Sequence, residues 1–593
     1  MKILVLDADA NAGRAVVQSL GAAGHSCCVA AGATTGPTFA SRWAKWQAVH
    51  PRPLVDKPAF QRWVLERQRE HRFDLVLPVT EETLMPLHEI RAEAELCGVL
   101  AIPPAEAVDV AFDKERLRRC ADSVGVPSPD TVFVDRAPVG EPPGDRGGAL
   151  ADPRIDAWLG EGPVVVKSTR SKVWSGPRGR GIPARVLRDR PALERHVGAL
   201  LGETAVQVQR WVPGHGVGVE LLAHEGRIAL AFAHDRVHEV PLSGGASSYR
   251  RSIAPPPALM AETERLIRAL GWHGVAMVEF RVDADGGGHW LMEINGRFWG
   301  SLPLAIFAGV DFPRALVDML ATGRAPEPVV PTVGVYARNF SMDVRWVKAV
   351  LLDRASDPAR LARLLAPSLA EWGRVVTGRE TWDGASLRDP GPIVREVGAY
   401  LGEEIRLAGR RVDRVVTLRR ARTSSQRSVA SHPRARRILV LCYGNICRSP
   451  YAAARLTERG APLGVVVRSA GFYPVAGRTT PDEVREPARR RGVDLAAHRS
   501  AVVTSGDLAW ADLVVIMDEK NKRELDALDA GAAAKTVWLG AFAEGGSVEI
   551  DDPYGEPPDA IEAVLTRIDA SVANLASALG RDGAGEPPRA RGA

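Results

Sequence analysis

Two groups of residues in this 593-residue chain have the types and spacing to do chemistry. The first is Cys442-Tyr-Gly-Asn-Ile-Cys-Arg448-Ser449-Pro450, set between an apolar run at 438–441 that reads as a strand and a helix expected from Pro450. A loop at a helix N-terminus gathers unpaired backbone N–H groups, which makes a cradle for anions. Arg448 adds a planar, two-pronged grip on a tetrahedral oxyanion. A cysteine opening such a loop lies in a positive field, ionises readily and serves as a thiolate nucleophile. Gly444 permits close backbone approach, and Ser449 is placed to hydrogen-bond the sulfur. Far downstream, Asp551-Asp552-Pro553-Tyr554-Gly555 holds a carboxylate beside a proline, suited to protonate a departing oxygen.

The second group is VEFRVDADGGGHWLMEING at 278–296, two alternating strands around an Asp/Gly turn, which reads as a β-hairpin. Alternation puts Val278, Phe280 and Val282 on one face and Glu279 on the other; on the partner strand Met292 and Ile294 face the core, while Glu293 and Asn295 join Glu279. Two carboxylates and an amide oxygen are hard ligands for Mg²⁺, which commonly bridges nucleotide phosphates. Arg297 falls beside that cluster and can hold an anionic intermediate. Upstream, Lys114 opens a helix and Lys167 ends the strand PVVVK, both placed to meet phosphates. The loop STRSKVWSGPRGRG after Lys167 reads as a flexible lid.

The elements that must position these residues follow from periodicity. KILVL at 2–6, a strand near 27–30, LVLPV at 75–79 and VLAI at 99–102 alternate with helical stretches, the pattern of an open parallel sheet. The first loop, DADANAG, lacks the three-glycine dinucleotide fingerprint. Further strands are expected at 163–167, 205–212 and 217–223, mostly helix over 345–420, and a new β/α unit from 438. No internal repeat is present. The chain is 45% hydrophobic and 25% charged, which excludes disorder and coiled coil as global descriptions, and its length calls for three to five domains. Six cysteines without a CxxC pair exclude a disulfide scaffold or zinc module. No apolar run reaches the length of a membrane span and no signal peptide opens the chain, so a cytoplasmic protein with no membrane partner is expected. The net charge of +5 hides a basic stretch, 405–437, with eleven Arg and one acid (Asp413). The remainder is therefore net negative, and nucleic acid is not an expected partner.

Residues 437–580 resemble a low-molecular-weight protein tyrosine phosphatase, through CYGNICRSP, RSAG at 468–471, WADLVVIMDEKN at 510–521 and DPYG at 552–555. The resemblance implies that Cys442 forms a phosphocysteine, Arg448 binds phosphoryl oxygens, Asn445 orders the loop, Ser449 stabilises the thiolate and Asp552 protonates the leaving phenolate. It also implies a protective Cys442–Cys447 disulfide under oxidation. Ile446 stands where phosphotyrosine-type sites are expected to have it and phosphoarginine-type relatives tend to carry Thr. The implied substrate is a phosphotyrosine protein or aryl phosphate.

Residues 1–330 resemble the ATP-grasp superfamily, in its carboxylate–amine ligase and carbamoyl-phosphate-synthase-like branch, through DKERLRRCADSVGVPSP at 113–129, VVVKS at 164–168, VQRWVPG at 208–214, VEF at 278–280 and EINGRFWGS at 293–301. The resemblance implies ATP as substrate, with Lys114 and Lys167 on its phosphates and adenine against the backbone of Gln209, Arg210, Trp211 and Val212. It places Mg²⁺ (or Mn²⁺) on Glu279, Glu293 and Asn295, and sets Arg236 and Arg297 to steady phosphates or an acyl phosphate. The hinge departs from the family pattern at Arg210 and at His215-Gly216, where relatives often carry Glu. The implied reaction joins an unknown carboxylate to an unknown amine.

The expected fold class is thus multidomain α/β and α+β. It comprises a pre-grasp β/α domain (1–105), a two-lobed ATP-grasp body (106–330), a mainly helical extension (331–420), a basic linker (421–436), a phosphatase domain with a parallel sheet (437–580) and a disordered tail (581–593). Two other functions fit the same residues: a nucleotide-sensing ATP-grasp module that regulates the phosphatase, and an adaptor docking an anionic partner through the Arg-rich segment.

Overall fold

Short apolar runs alternating with amphipathic helices build the first layer. The computed structural model describes residues 1–136, 150–240, 245–283, 287–352, 371, 373–375 and 377–581; the tail from 582 and the Pro/Gly-rich stretch at 137–148 lie outside them. The chain divides into two compact units, 1–402 and 403–593. In the first, β1 (Lys2–Val5), β2 (Ser26–Ala31), β3 (Ala44–Val49) and β4 (Leu75–Leu77) form a parallel sheet in the order β3-β2-β1-β4. The chain steps outward from β1 to β3 and then crosses to the far side of β1. The C-terminal ends of β1 and β4 are therefore a topological switch point, where open α/β sheets receive ligands. The segment 99–102 is not a strand; it contributes one isolated bridge, Leu100 to Val76. Helix α1 (Asn11–Ala22) covers the sheet with Ala12, Ala15, Val16 and Leu20. These residues share one core with Phe232, Met277, Trp299 and Phe312 of the following body.

The body holds two further sheets. Strands β5 (Thr131–Val134), β6 (Val164–Ser168), β9 (Arg185–Leu187) and β10 (Val206–Arg210) run antiparallel in the order β5-β10-β6-β9, and β7 (Lys172–Ser175) pairs with β8 (Arg178–Gly181) as a hairpin. The stretch expected to be a flexible lid is that hairpin. It is tied to the segment after β3 by Trp174 Nε1–H to the Pro53 carbonyl (3.2 Å) and by the backbone bonds Gly179 N–H to Leu54 O and Lys57 N–H to Pro177 O. Helix α2 (Lys114–Ser123) starts where Asp113 accepts from the N–H groups of Glu115 and Arg116.

The large sheet contains β11 (His215–His224), β12 (Arg227–Val240), β13 (Ala246–Ile253), β14 (Gly274–Val282), β15 (His289–Asn295), β16 (Tyr336–Arg338) and β17 (Glu380–Trp382), in the order β15-β14-β11-β12-β13-β16-β17. The last two strands correct the expectation of a mainly helical 331–420. Three-residue strands show no readable alternation, and they extend the sheet beside α3 (Phe340–Leu352). A second correction concerns the hairpin. A bulge between Glu279 and Phe280 brings Leu291, not Met292, into the core beside Phe280 and Ile294.

Buried charge ties these pieces together. Arg250 reaches both oxygens of Asp383 at 2.6 Å and the Gly300 carbonyl at 3.1 Å. Asn11 donates to Asp383 (2.9 Å) and to Gly300 (2.7 Å), and Arg14 pairs with Glu396.

In the second unit, β18 (Arg437–Cys442), β19 (Val466–Gly471), β20 (Leu513–Ile516) and β21 (Thr536–Trp538) form a parallel sheet, β19-β18-β20-β21, apolar on both faces. The stretch read as a solvated linker is largely helical. Helix α4 (Gly391–Ala430) runs through it, with Ala421, Ser425 and Val429 buried at i, i+4 spacing. Ser425 Oγ accepts from Trp538 N–H (2.9 Å), and Arg422 donates to the carbonyls of Ala541 and Ala543. Arg is a good helix former, so Arg/Ser composition was a poor guide here. Among the described residues no helix is long and apolar enough to cross a membrane.

Asp383 is fully buried, so Asp383→Ala is expected to leave Arg250 uncompensated and destabilise the first unit by about 3–5 kcal/mol. Hydrogen exchange along β13 and β16 under increasing urea measures this; unchanged protection there contradicts it.

Candidate active sites

In the second unit, β18 delivers Cys442 to the C-terminal edge of the sheet, and α5 (Arg448–Gly460) begins six residues later with no side-chain cap. Two donors point at the sulfur: Ser449 Oγ–H at 3.1 Å and the Asn445 N–H at 3.2 Å. Asn445 adopts a left-handed φ of 49°, strained for a non-glycine residue, and the surroundings hold it there. Its side chain donates to Ser449 (2.9 Å) and Ser469 (3.0 Å) and accepts from Ala501 N–H (2.8 Å), while His498 Nε2 meets its carbonyl at 2.8 Å. Gly471 is the glycine this packing requires, since a Cβ there would lie 2.8 Å from the Tyr443 carbonyl and 2.9 Å from Asn445.

Arg448 is buried between carboxylates, with Asp518 at 2.6 Å, Asp552 at 2.9 Å and the Ile550 carbonyl at 2.8 Å. Its Nε–H is buried without a partner among the described residues, a donor that an oxyanion would satisfy. Asp518 also caps α6 (Glu519–Leu528) through the Asn521 N–H. The five residues expected here, Cys442, Asn445, Arg448, Ser449 and Asp552, therefore converge. Asp518 and His498 were missed, although Asp518 lies within the quoted WADLVVIMDEKN.

All six cysteines are thiols. Burial, aided by the neighbouring Cys442, pushes Cys447 up to about 12. Iodoacetamide near neutral pH is therefore expected to alkylate Cys442 and spare Cys447, which stays protonated far above that pH. Peptide mass spectrometry reads the ratio, and equal labelling contradicts the assignment.

In the first unit, Glu279 and Glu293 face each other across the β14–β15 ladder. Asn295 Nδ2 donates to both, at 3.2 and 3.3 Å, and its Oδ1 accepts from Arg297 at 2.8 Å. Arg236 bonds Glu279 at 3.1 Å. Burial and the neighbouring Glu293 push the Glu279 carboxyl up, against Arg236. Burial also acts to raise Glu293, but Lys114 and Lys167 outweigh it and hold that carboxyl below the usual range. Burial brings the Lys167 ammonium down to about 8. Lys167 donates to Gln209 (3.0 Å) and Lys114 to Ser171 (2.8 Å).

Arg210 and Trp211 stand apart from this cluster. Arg210 pairs with Glu161 and spends its N–H on Asp130, and Trp211 is exposed, 5.8 Å from Arg281; Val212 is buried behind them. Among the described residues no three His, Cys, Asp or Glu side chains form a metal-holding group. The two carboxylates with an amide are a hard-oxygen donor set that fits a divalent cation once Asn295 turns its oxygen inward.

A cavity of about 670 Å³ adjoins the cluster at the sheet's switch point, with Arg297, Gly300, Lys172, Asp7 and Glu81 in its wall. Asp7 Oδ2 accepts from Thr80 N–H, Thr80 Oγ and Thr83 Oγ at 3.1, 2.7 and 2.5 Å, and burial pushes its carboxyl up. Glu81, also raised by burial, lies in the field of Lys114, Arg297 and Glu293. As part of EETL at a helix start, it carried no signal of its own.

Residues 437–584 match the family model described as low molecular weight phosphotyrosine protein phosphatase, and residues 203–349 match that of ATP-grasp in the biosynthetic pathway with Ter operon. The chain is 36% identical over 135 residues to "Probable low molecular weight protein-tyrosine-phosphatase EpsP" of Ralstonia solanacearum, covering 23% of this chain and 90% of that one. It is 34% identical over 143 residues to a protein-arginine-phosphatase of Geobacillus stearothermophilus, covering 24% and 95%. A solved structure of N5-carboxyaminoimidazole synthetase from Staphylococcus aureus aligns over 58% of this chain and 84% of that one, at 13% identity and a TM-score of 0.43. The first unit matches an ATP-grasp family model over residues 203–349, and through its second unit the chain belongs to the low molecular weight phosphotyrosine protein phosphatase family.

Proposed function

We propose that the second unit hydrolyses phosphotyrosine-type monoesters through a phosphocysteine. The observation that carries this is the convergence of the Cys442 sulfur, its two donors and the unspent Nε–H of Arg448. The Cys442 thiolate attacks phosphorus, the bond to the aryl oxygen breaks, and Asp552 gives its proton to the departing phenolate. Water then attacks phosphorus, Asp552 takes back a proton, and thiolate and phosphate separate. Arg448 and the first-turn N–H groups of α5 hold the equatorial oxygens where charge develops. Ile446, buried in the loop, and the edge-packed Tyr443 and Tyr473, 6.0 Å between ring centroids, support an aryl phosphate over phosphoarginine.

We propose that the first unit is an ATP-dependent carboxylate–amine ligase. Lys114 and Lys167 would hold the phosphates of ATP, Glu279, Glu293 and Asn295 would hold Mg²⁺ or Mn²⁺, and the cavity beside Arg297 would take the organic substrates. The cation would neutralise phosphate charge during transfer. The carboxylate attacks the γ-phosphorus, ADP leaves, and the acyl phosphate is held by Arg297 until an amine displaces phosphate. Both units are read as cytoplasmic, where Cys442 stays reduced.

Cys442→Ser is expected to abolish p-nitrophenyl phosphate hydrolysis, and Asp552→Ala to slow it by about 10²–10⁴-fold. Retained hydrolysis by the Cys442 variant refutes the mechanism, and faster turnover of phosphoarginine than of phosphotyrosine peptide refutes the substrate class. For the first unit, ADP release is screened on the Cys442→Ser protein against pooled carboxylates and amines. Turnover that Glu293→Ala removes, with that substitution leaving the phosphatase of the wild-type background intact, is expected. Tight ATP binding without ADP release from any pool favours a nucleotide sensor instead.

A further inference from the structure

The cavity at the switch point holds more than the acyl end of a ligase reaction needs. One side is the start of α1, where Ala10 provides no side-chain cap and no acid occupies the first turn. Its N–H groups and helix dipole are left to an anion, and Arg52 stands in the same wall. Asp7, Asp9 and Glu81 supply negative charge nearby, while Lys172 is matched by Glu82 at 2.6 Å. The independent sign of a ligand is His50, which follows β3 and is only 3% exposed. Phe60 and Trp63 fix its ring, with centroids 5.1 and 5.8 Å away. Its Nδ1, 2.9 Å from the Pro51 carbonyl, must carry the hydrogen, so Nε2 is an acceptor. That Nε2 is buried and has no partner among the described residues, although His50 forms part of the cavity wall. A buried acceptor lacking a donor is unfavourable until a ligand N–H meets it.

We propose that this cavity binds a zwitterionic primary amine of the amino-acid class as second substrate, its carboxylate at the start of α1 and its amine at His50, which serves as the proton acceptor. The proposal deepens the ligase reading and rests on it. His50 Nε2 takes one proton from the incoming ammonium, and the freed lone pair attacks the acyl carbon. The C–N bond forms, the bond from carbon to the phosphoryl oxygen breaks, and phosphate leaves with that electron pair and the second amine proton. Asp7, in the same wall and near enough to feel the charge of His50, steadies the imidazolium. Arg297, in the same wall, links this end to Asn295 of the metal-type cluster.

The test uses the full chain with ATP, Mg²⁺ and pooled small carboxylates in two arms. One arm adds hydroxylamine, which is uncharged near neutral pH and needs no base; the other adds pooled free amino acids. His50→Asn keeps an N–H for the Pro51 carbonyl but has no atom at Nε2. It is expected to form hydroxamate within about twofold of wild type, while amino-acid-dependent ADP release falls at least about tenfold near pH 7 and recovers in part near pH 9. His50→Gln, read alongside with thermal melting of both variants, separates a lost acceptor from lost packing: a matched melting point with the same split between arms supports the role. Equal loss in both arms, or an unchanged amino-acid arm, overturns it. Hydroxamate formation by wild type with no amino-acid turnover overturns this proposal alone. No hydroxamate from any carboxylate overturns the ligase reading, and the proposal with it.

Discussion

Gripping phosphate takes cations out of water, and a buried cation must be balanced when its phosphate is away. That constraint shapes both units. Arg448 is almost wholly buried and is held by Asp518, Asp552 and the Ile550 carbonyl. In the first unit the charges of Lys114 and Lys167 are set against Glu293, and Arg236 against Glu279 and Glu239. Carboxylates at such positions serve the free protein as counter-ions to these cations.

The architecture supplies these partners by one device used twice. Parallel strands deliver functional loops to a single edge, Cys442 at the end of β18 and Asp7 at the end of β1. The helix after each loop starts without a side-chain cap, leaving backbone donors for an anion. The first unit adds an antiparallel sheet whose hairpin pairs Glu279 with Glu293 directly.

Much of this was legible in sequence because the chemistry is local. CYGNICRSP is one loop, and the VEF and MEIN strands are one hairpin, so side-chain alternation was enough to group their residues. What escaped depends on distant partners. Asp518 meets Arg448 across 70 positions, and His498 meets Asn445 across 53. The bulge that swaps Leu291 for Met292 is set by ladder geometry, which alternation cannot foresee. Strands β3, β16 and β17 were invisible because an exposed edge or a three-residue length leaves no apolar period. The basic stretch misled because its apolar contacts, Ala421 and Val429, are few among many Arg.

The pairing of Arg14 with Glu396 joins the first helix of the chain to a residue 382 positions later. During synthesis at about 5–20 residues per second, the buried guanidinium waits roughly 20–80 s for its counter-ion. Asn11 waits nearly as long for Asp383, 372 positions on, and Arg250 about a third as long, across 133. The β/α layer of residues 1–105 therefore cannot reach its final form until these later residues are made. Its closing contacts come from the residue after the last strand of the unit and from the helix that follows, so the order of synthesis runs opposite to the order in which this layer's buried charges are neutralised.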